Sequence, residues 1–187
     1  YEQFSKESEA TNCPILAHHW YEAGDLFQTT RYLEKSGDLA FSTGSFLEAT
    51  QKYERSLELG GAKTEGEEKH SVTEIKLRRA RWNRKLADSF YGLGSMESAL
   101  VHARQALLLL GKRVPTTFVG WKLSNARCRI AAPKYTGRVP KWVKKPKDRE
   151  KLIEASQAAR RYAECSHRNQ DYQSMVGASW LAVRFGE

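Results

Sequence analysis

The chain has 187 residues, 40% of them hydrophobic, and a formal net charge of +9. Its length fits one domain or a short repeat array, its apolar runs are too short to cross a membrane, and no secretory signal pattern is visible. Cys13, Cys128 and Cys165 lie far apart without a metal or redox spacing, which indicates reduced thiols and a cytoplasmic protein. Because the sequence starts at Tyr1 without a methionine and stops inside a repeat, we expect a segment of a larger protein.

Apolar side chains recur at helical spacing along most of the chain, and no segment shows the alternation that is typical of a strand. Pro14, Asp25 and Gly44 stand where helices begin or end, and Gly111 followed by Pro115 gives a further stop signal. The pattern predicts an all-α protein with helices at 14–23, 25–43, 46–59, 72–92, 96–110, 118–132, from Asp148 onward, and at 172–185.

Three stretches share one pattern, in which a turn is followed two places later by a large apolar residue and then by small or apolar residues at fixed places. They begin at Gly44, Gly94 and Gln170, and they predict one helix–turn–helix unit used three times. In a frame of about 34 residues, equivalent places hold Gly37, Ala87 and Ala163; Phe46, Met96 and Tyr172; Ala49, Ala99 and Met175; and Leu57, Leu107 and Val183. We expect Gly37 at a close helix crossing.

This pattern resembles the tetratricopeptide repeat, in which small residues let two helices approach and large ones fill the space beside the crossing. The resemblance implies a helical repeat array, an α-solenoid, with an irregular basic insertion. Met175 departs from the repeat because it is large at a small-residue place, and long insertions separate the units.

A narrower resemblance rests on several segments that are spread over most of the chain. They are Ile15–Asp25, Tyr32–Asp38, Leu86–Gly94, Ala106–Pro115 and Arg161–Glu164. Together these segments look like the C-terminal tetratricopeptide region of large class III adenylate/guanylate cyclases, where an ATPase module of the AAA/STAND type precedes the repeats. The segment around His18 and His19 is shared by related regulators. The resemblance therefore implies a regulatory or scaffolding tail and places no catalysis in this chain.

The predicted organisation has five parts: first repeats at 1–59, a flexible loop at 60–71, a middle pair at 72–113, a basic insertion with a helix at 114–147, and a last pair at 148–187. The net charge belongs to the insertion, since residues 112–151 contain 13 basic and two acidic residues. We expect an extended loop there after the helix, because Pro133, Pro140 and Pro146 flank Gly137.

Two surfaces are candidate partner sites. In the basic insertion, Trp142 is an apolar anchor among Arg138, Lys141, Lys144 and Lys145, which fits an acidic protein or, less well, an anionic membrane surface; the alternative is a solvated loop that folds back. On the first helices of the repeats, helical spacing exposes further residues that match peptide-groove positions of the family or form an ordinary solvated surface. They are Arg81, Arg84, Asp88, Tyr91, Arg160, Glu164 and His167.

No catalytic, metal-binding or cofactor-binding constellation stands out in the sequence. His18 and His19 are adjacent, so on a helix they point about 100° apart and cannot bind one metal together. Nucleic acid is not favoured, because no reading motif accompanies the basic residues. The sequence thus indicates a non-catalytic protein-interaction segment. The alternatives are an intramolecular regulatory module that packs on an upstream ATPase or cyclase domain, and a structural component of a large assembly.

Overall fold

The computed structural model of the chain describes residues 12–60, 72–131 and 146–186. Within those ranges the chain forms eight α-helices and no strand, which confirms the all-α prediction. The helices are α1 Cys13–Glu22, α2 Leu26–Ser42, α3 Phe46–Leu59, α4 Val72–Gly92, α5 Met96–Leu109, α6 Phe118–Ala131, α7 Pro146–Arg168 and α8 Tyr172–Gly186.

The helix predicted in the basic insertion is present as α6. The prediction for α7 was wrong by two residues, because the helix begins at Pro146 rather than at Asp148. A proline fits the first turn of a helix, where its missing N–H would have no partner within the helix in any case. The predicted loops around Gly61 and Gly66, and around Pro133, Gly137 and Pro140, lie outside the described residues.

Three antiparallel helix pairs organise the molecule: α2 with α3, α4 with α5, and α7 with α8. In each pair we call the earlier helix the first helix and the later one the second helix. The second helix of one pair packs on the first helix of the next, so that α3 contacts α4 and α5 contacts α7. Helix α1 packs on α2, and α6 packs on α8.

One backbone turn joins the two helices of every pair, and it also joins α1 to α2. Its central residue has positive φ: +78° at Gly24, +80° at Gly44, +80° at Gly94 and +59° at Gln170. At each turn the central N–H donates to the carbonyl three residues earlier, and the next N–H donates to the carbonyl five residues earlier. This is the Schellman arrangement, which gives partners to carbonyl groups at the end of a helix.

The residue after each positive-φ position also begins the next helix. The Asp25 carboxylate accepts from the backbone N–H of Gln28 at 2.9 Å, and the Asp171 carboxylate accepts from that of Ser174 at 3.1 Å. Each contact gives a partner to one of the first N–H groups of the following helix. At Asp25 and Asp171 the same short turn therefore ends one helix and caps the next, whereas Ser45 and Ser95 begin their helices without a side-chain cap.

Glycines permit two close approaches between helices. A Cβ added at Gly37 would lie 2.6 Å from the ring of Tyr53, which confirms the close crossing expected there between α2 and α3. A Cβ added at Gly177 would lie 2.2 Å from the ring of Trp121, so α6 lies on α8 only because position 177 has no side chain. Tyr53 is 1% exposed and Trp121 3%, so both rings belong to the core.

At the fourth of these turns the residue with positive φ is Gln170, where the other three have glycine. A non-glycine residue at positive φ is strained by about 1–2 kcal/mol, and replacing it with glycine removes this strain. The greater conformational freedom of glycine in the unfolded chain offsets part of that stabilisation. We expect Gln170→Gly to raise the free energy of unfolding by about 0.5–1 kcal/mol, as measured by urea titration. The neighbouring change Asn169→Gly is the control, because residue 169 has no positive φ; it should lower stability.

Candidate functional site

The predicted groove residues of α4 contact α7 of the same chain. Arg84 donates from Nε to Glu154 at 2.6 Å and from Nη1 to Asp88 at 2.8 Å. Arg81 donates from Nε to the other oxygen of Glu154 at 3.2 Å and also pairs with Glu150. Glu154 is 8% exposed, so this carboxylate is buried between the two guanidinium groups.

Asp88 and Tyr91 continue this contact toward the end of α4. The second oxygen of Asp88 accepts from Nε of Arg161 on α7 at 2.7 Å. The guanidinium of Arg161 lies over the ring of Tyr91 at 4.2 Å from its centre, and that of Arg168 lies at 4.6 Å. Two cations against one aromatic ring are favourable through the ring's quadrupole. The cationic and aromatic groups predicted for a peptide thus contact α7 instead of standing free in solvent.

Side chains of α4 also form ion pairs with side chains of α2. Nζ of Lys85 lies 2.6 Å from Oε1 of Glu34 and 2.7 Å from Oδ1 of Asp38. The indole N–H of Trp82 donates to Glu34 at 2.9 Å, and the hydroxyl of Tyr53 donates to Asp38 at 2.7 Å. We call the charged side chains that connect α2, α4 and α7 the inter-pair ionic network. Its members are Glu34, Asp38, Arg81, Arg84, Lys85, Asp88, Glu150, Glu154, Arg161 and Glu164.

One contact of this network occurs twice at the same place in the repeat frame. The units of the repeat frame begin at Thr30, Ala80 and Ser156. Asp38 and Asp88 are therefore both the ninth residue of their unit, while Lys85 and Arg161 are both the sixth residue of the next. The pairs Asp38–Lys85 and Asp88–Arg161 each have a nitrogen–oxygen distance of 2.7 Å. Successive first helices are therefore joined by an acid on one unit and a base on the next.

Several groups of this network are largely buried, and their pKa values show that their partners keep them charged. Burial alone would lower the pKa of the Arg84 guanidinium, but Glu154 and Asp88 outweigh it and raise that pKa above its ordinary value. Burial would likewise raise the pKa of Glu34, yet Lys85 and the Trp82 N–H hold it below its ordinary value. Both groups are therefore held in their charged forms by partners on the same and neighbouring helices.

The remaining predicted partner residues fall into two groups. Arg160 and His167 on α7 are exposed, and the His167 ring meets that of Tyr172 edge to face at 6.4 Å. The other residues of the prediction belong to the basic insertion and lie outside the described side chains. They are Arg138, Lys141, Trp142, Lys144 and Lys145.

Chemistry elsewhere in the described residues is limited to groups held within the fold. No group of three or more histidine, cysteine or acidic side chains in these ranges is placed to hold a metal ion. Burial raises the pKa of the Cys165 thiol to about 11, which leaves it protonated near neutral pH. The ring of His102 stacks on Phe90 at 5.3 Å, and its Nδ1 lies 3.1 Å from Oδ1 of Asn83.

Comparisons with known proteins leave the family open. The chain matches no family model, and no curated protein matches its sequence. Within the part of the chain that the structure describes, no helix is long and apolar enough to cross a membrane.

Sequence reasoning missed Lys85 on α4 and the residues that face α4, which are Glu34 and Asp38 on α2 and Glu150, Glu154 and Arg161 on α7. A signal for part of this set was present, since an acid stands at the ninth place and a base at the sixth place of all three units. The contacts of Glu154 with Arg81 and Arg84 left no such repeated signal, because they occur between one pair of helices alone among the described contacts.

The burial of Glu154 predicts a large effect from a small change. In Glu154→Gln the guanidinium groups of Arg81 and Arg84 keep their positions but lose a buried carboxylate. We expect the free energy of unfolding to fall by about 2–3 kcal/mol, since breaking one side of a buried pair is costly. The control is Glu58→Gln, which removes the exposed pair with Arg55 and should leave stability unchanged within error. Equal effects of the two variants in urea titrations would contradict a structural role for the network.

His102 predicts a pH dependence of stability near neutrality. Burial lowers its pKa in the folded chain below the ordinary value of 6.5. As pH falls below about 6.5, the unfolded chain takes up a proton before the folded one, so the free energy of unfolding falls until the folded pKa is passed. We expect this decline in urea titrations between about pH 7.5 and 5.5. In His102→Gln, which cannot titrate, the decline should be smaller; an unchanged pH profile would contradict the assignment.

Proposed function

We propose that this chain is a non-catalytic interaction segment that binds other proteins through its helical array. The observation that carries the proposal is the repetition of one unit. Three helix pairs share the same turn, and successive pairs share an acid–base contact at the same place. An array built in this way presents several helices side by side and offers an extended surface to partners.

The finer assignment to a tetratricopeptide-like solenoid also belongs to this proposal. It is supported by the small residues at equivalent places, since Gly37 is buried against Tyr53 while Ala87 is fully buried and Ala163 nearly so. It is further supported by the order of contacts, in which each second helix packs on the next first helix. The helix α6 is an addition to that order, because it comes between α5 and α7 in sequence but packs on α8.

The similarity to cyclase tails extends the proposal to a regulatory role in a cyclic-nucleotide signalling protein. It is supported by the segment Ile15–Asp25, where His18, His19 and Trp20 precede the first turn at Gly24. On this proposal the repeats carry no catalysis themselves and bind partners on behalf of an upstream ATPase or cyclase domain.

Saturable binding of a purified protein is the outcome that we expect. The chain is immobilised, exposed to an extract of its source cells, and each retained protein is then purified and titrated against the chain. The control is the variant Leu86→Asp/Leu107→Asp, in which two fully buried side chains become charged and the array should unfold. A retained protein should bind the native chain and not this control.

Two results would count against the proposal in different ways. If no purified protein binds saturably, the interaction role is wrong. If the chain instead associates tightly with the ATPase or cyclase domain encoded upstream of it and with nothing else, the repeats act as an intramolecular regulatory module.

A further inference from the structure

The last helix pair exposes positions that are covered in the two earlier pairs. On α8, Tyr172, Val176 and Val183 are 60%, 41% and 51% exposed. Of the equivalent residues of the middle pair, Leu107 is fully buried in the core that includes α7, and Met96 and Leu100 are partly buried. In the first pair Thr50 is 3% exposed, and the ring of Phe46 lies against Gly92 of α4.

The first helices show the same difference. Leu77 of α4 packs into the core that includes α7, and Phe27 of α2 is covered by Arg78 of α4. Their equivalent on α7, Ile153, is 47% exposed. We call this surface the end face and define it by Ile153, Glu164, Tyr172, Val176 and Val183.

The end face also has an acidic residue at a place where the earlier units have one. Glu164 is the ninth residue of its unit, like Asp38 and Asp88, whose carboxylates pair with a base on the next first helix. The carboxylate of Glu164 pairs with Arg161 of its own helix at 2.7 Å, and its side chain is 41% exposed. It thus has the position and the charge of the earlier acids, together with an apolar strip beside it.

We propose that the end face binds an amphipathic α-helix of a partner protein, with a lysine or arginine opposite Glu164 and apolar side chains against the strip on α8. This proposal rests on the proposed interaction function and names the surface and the chemistry of the partner. A helix is the expected occupant because α4 and α7, which cover the equivalent surfaces, are both helices. The covering helices are rich in buried alanine, as at Ala80, Ala87, Ala155, Ala158 and Ala159, so the partner helix is expected to carry small residues at the crossing.

Among its described helices, a second copy of this chain offers none that is free. The equivalent occupants are first helices, and in each copy α2 already packs on α1, α4 on α3 and α7 on α5. To place one of them on a neighbour's end face, a copy would have to open one of its own helix contacts. A free amphipathic helix of a different protein would bind without that cost.

The test uses a synthetic peptide with the sequence of α7, residues 146–168, because that helix covers the surface of α5 that is equivalent to the end face. The peptide is acetylated at its N-terminus, amidated at its C-terminus and labelled with a fluorophore, and its binding to the intact chain is followed by anisotropy. We expect saturable binding with a dissociation constant below about 1 mM. Absence of saturation up to that concentration would overturn the proposal.

Substitutions in the chain locate the binding. Val176→Asp places a charge in the apolar strip and should weaken peptide binding roughly tenfold or more. The matched control is Val101→Asp on α5, where the side chain is 64% exposed outside the end face; binding should stay within about twofold. Equal affinities of the two variants would overturn the proposal. Urea titrations of both variants confirm that the fold is retained.

A charge exchange tests the role of Glu164. The change Glu164→Arg should weaken binding of the original peptide by roughly fivefold, and a peptide with Arg161→Glu should recover that loss on the altered chain. If the loss is not recovered, the acid does not select the partner and the proposal is wrong in its chemistry.

Two further outcomes separate this proposal from its alternatives. Sedimentation of the chain alone should show a monomer; a dimer that Val176→Asp dissociates would overturn the proposal, because a second copy would then occupy the end face. If native and Val176→Asp chains retain the same purified proteins with equal affinity, the end face is not the site, although the proposed interaction function stands.

Discussion

The turns at Gly24, Gly44, Gly94 and Gln170, each with positive φ, are the constraint on which the rest of the structure depends. Each turn ends one helix and begins the next within three residues, so the angle between the two helices is set by the backbone itself. Because the same two backbone hydrogen bonds recur at Gly44, Gly94 and Gln170, residues at equivalent places reach equivalent neighbours. The repeated pairs Asp38–Lys85 and Asp88–Arg161 are a consequence of that equivalence.

The inter-pair ionic network changes how the surface of the first helices is understood. Arg81 and Arg84 have carboxylate partners on α7, and Arg161 has one on α4, so these charges stabilise the contact between α4 and α7. A ligand that used these groups would first have to displace Glu154, which is buried between them. Glu164 lies at the same repeat place as Asp38 and Asp88, and its ion pair within the described residues is with Arg161 of its own helix.

Sequence patterns predicted the helices and turns well because both are local. The spacing of apolar residues fixes a helix, and Gly44 or Gly94 fixes its end, without reference to the rest of the chain. The partners of Arg84 could not be derived in this way, because Glu154 is distant in sequence and its approach depends on how α5 and α7 cross. The packing of α6 on α8 could not be predicted from local sequence either, since it depends on the fit of Trp121 over Gly177.

The position of α6 has a consequence for the order of folding. Contacts within each helix pair are close in sequence and can form early, whereas α5 and α7 are separated by residues 110–145. Closing a longer connection costs more chain entropy and slows the contacts that it joins. The docking of Trp121 on Gly177 shortens the free part of this connection once α8 is in place. The last pair should therefore form first by itself, capture α6, and only then join the middle pair.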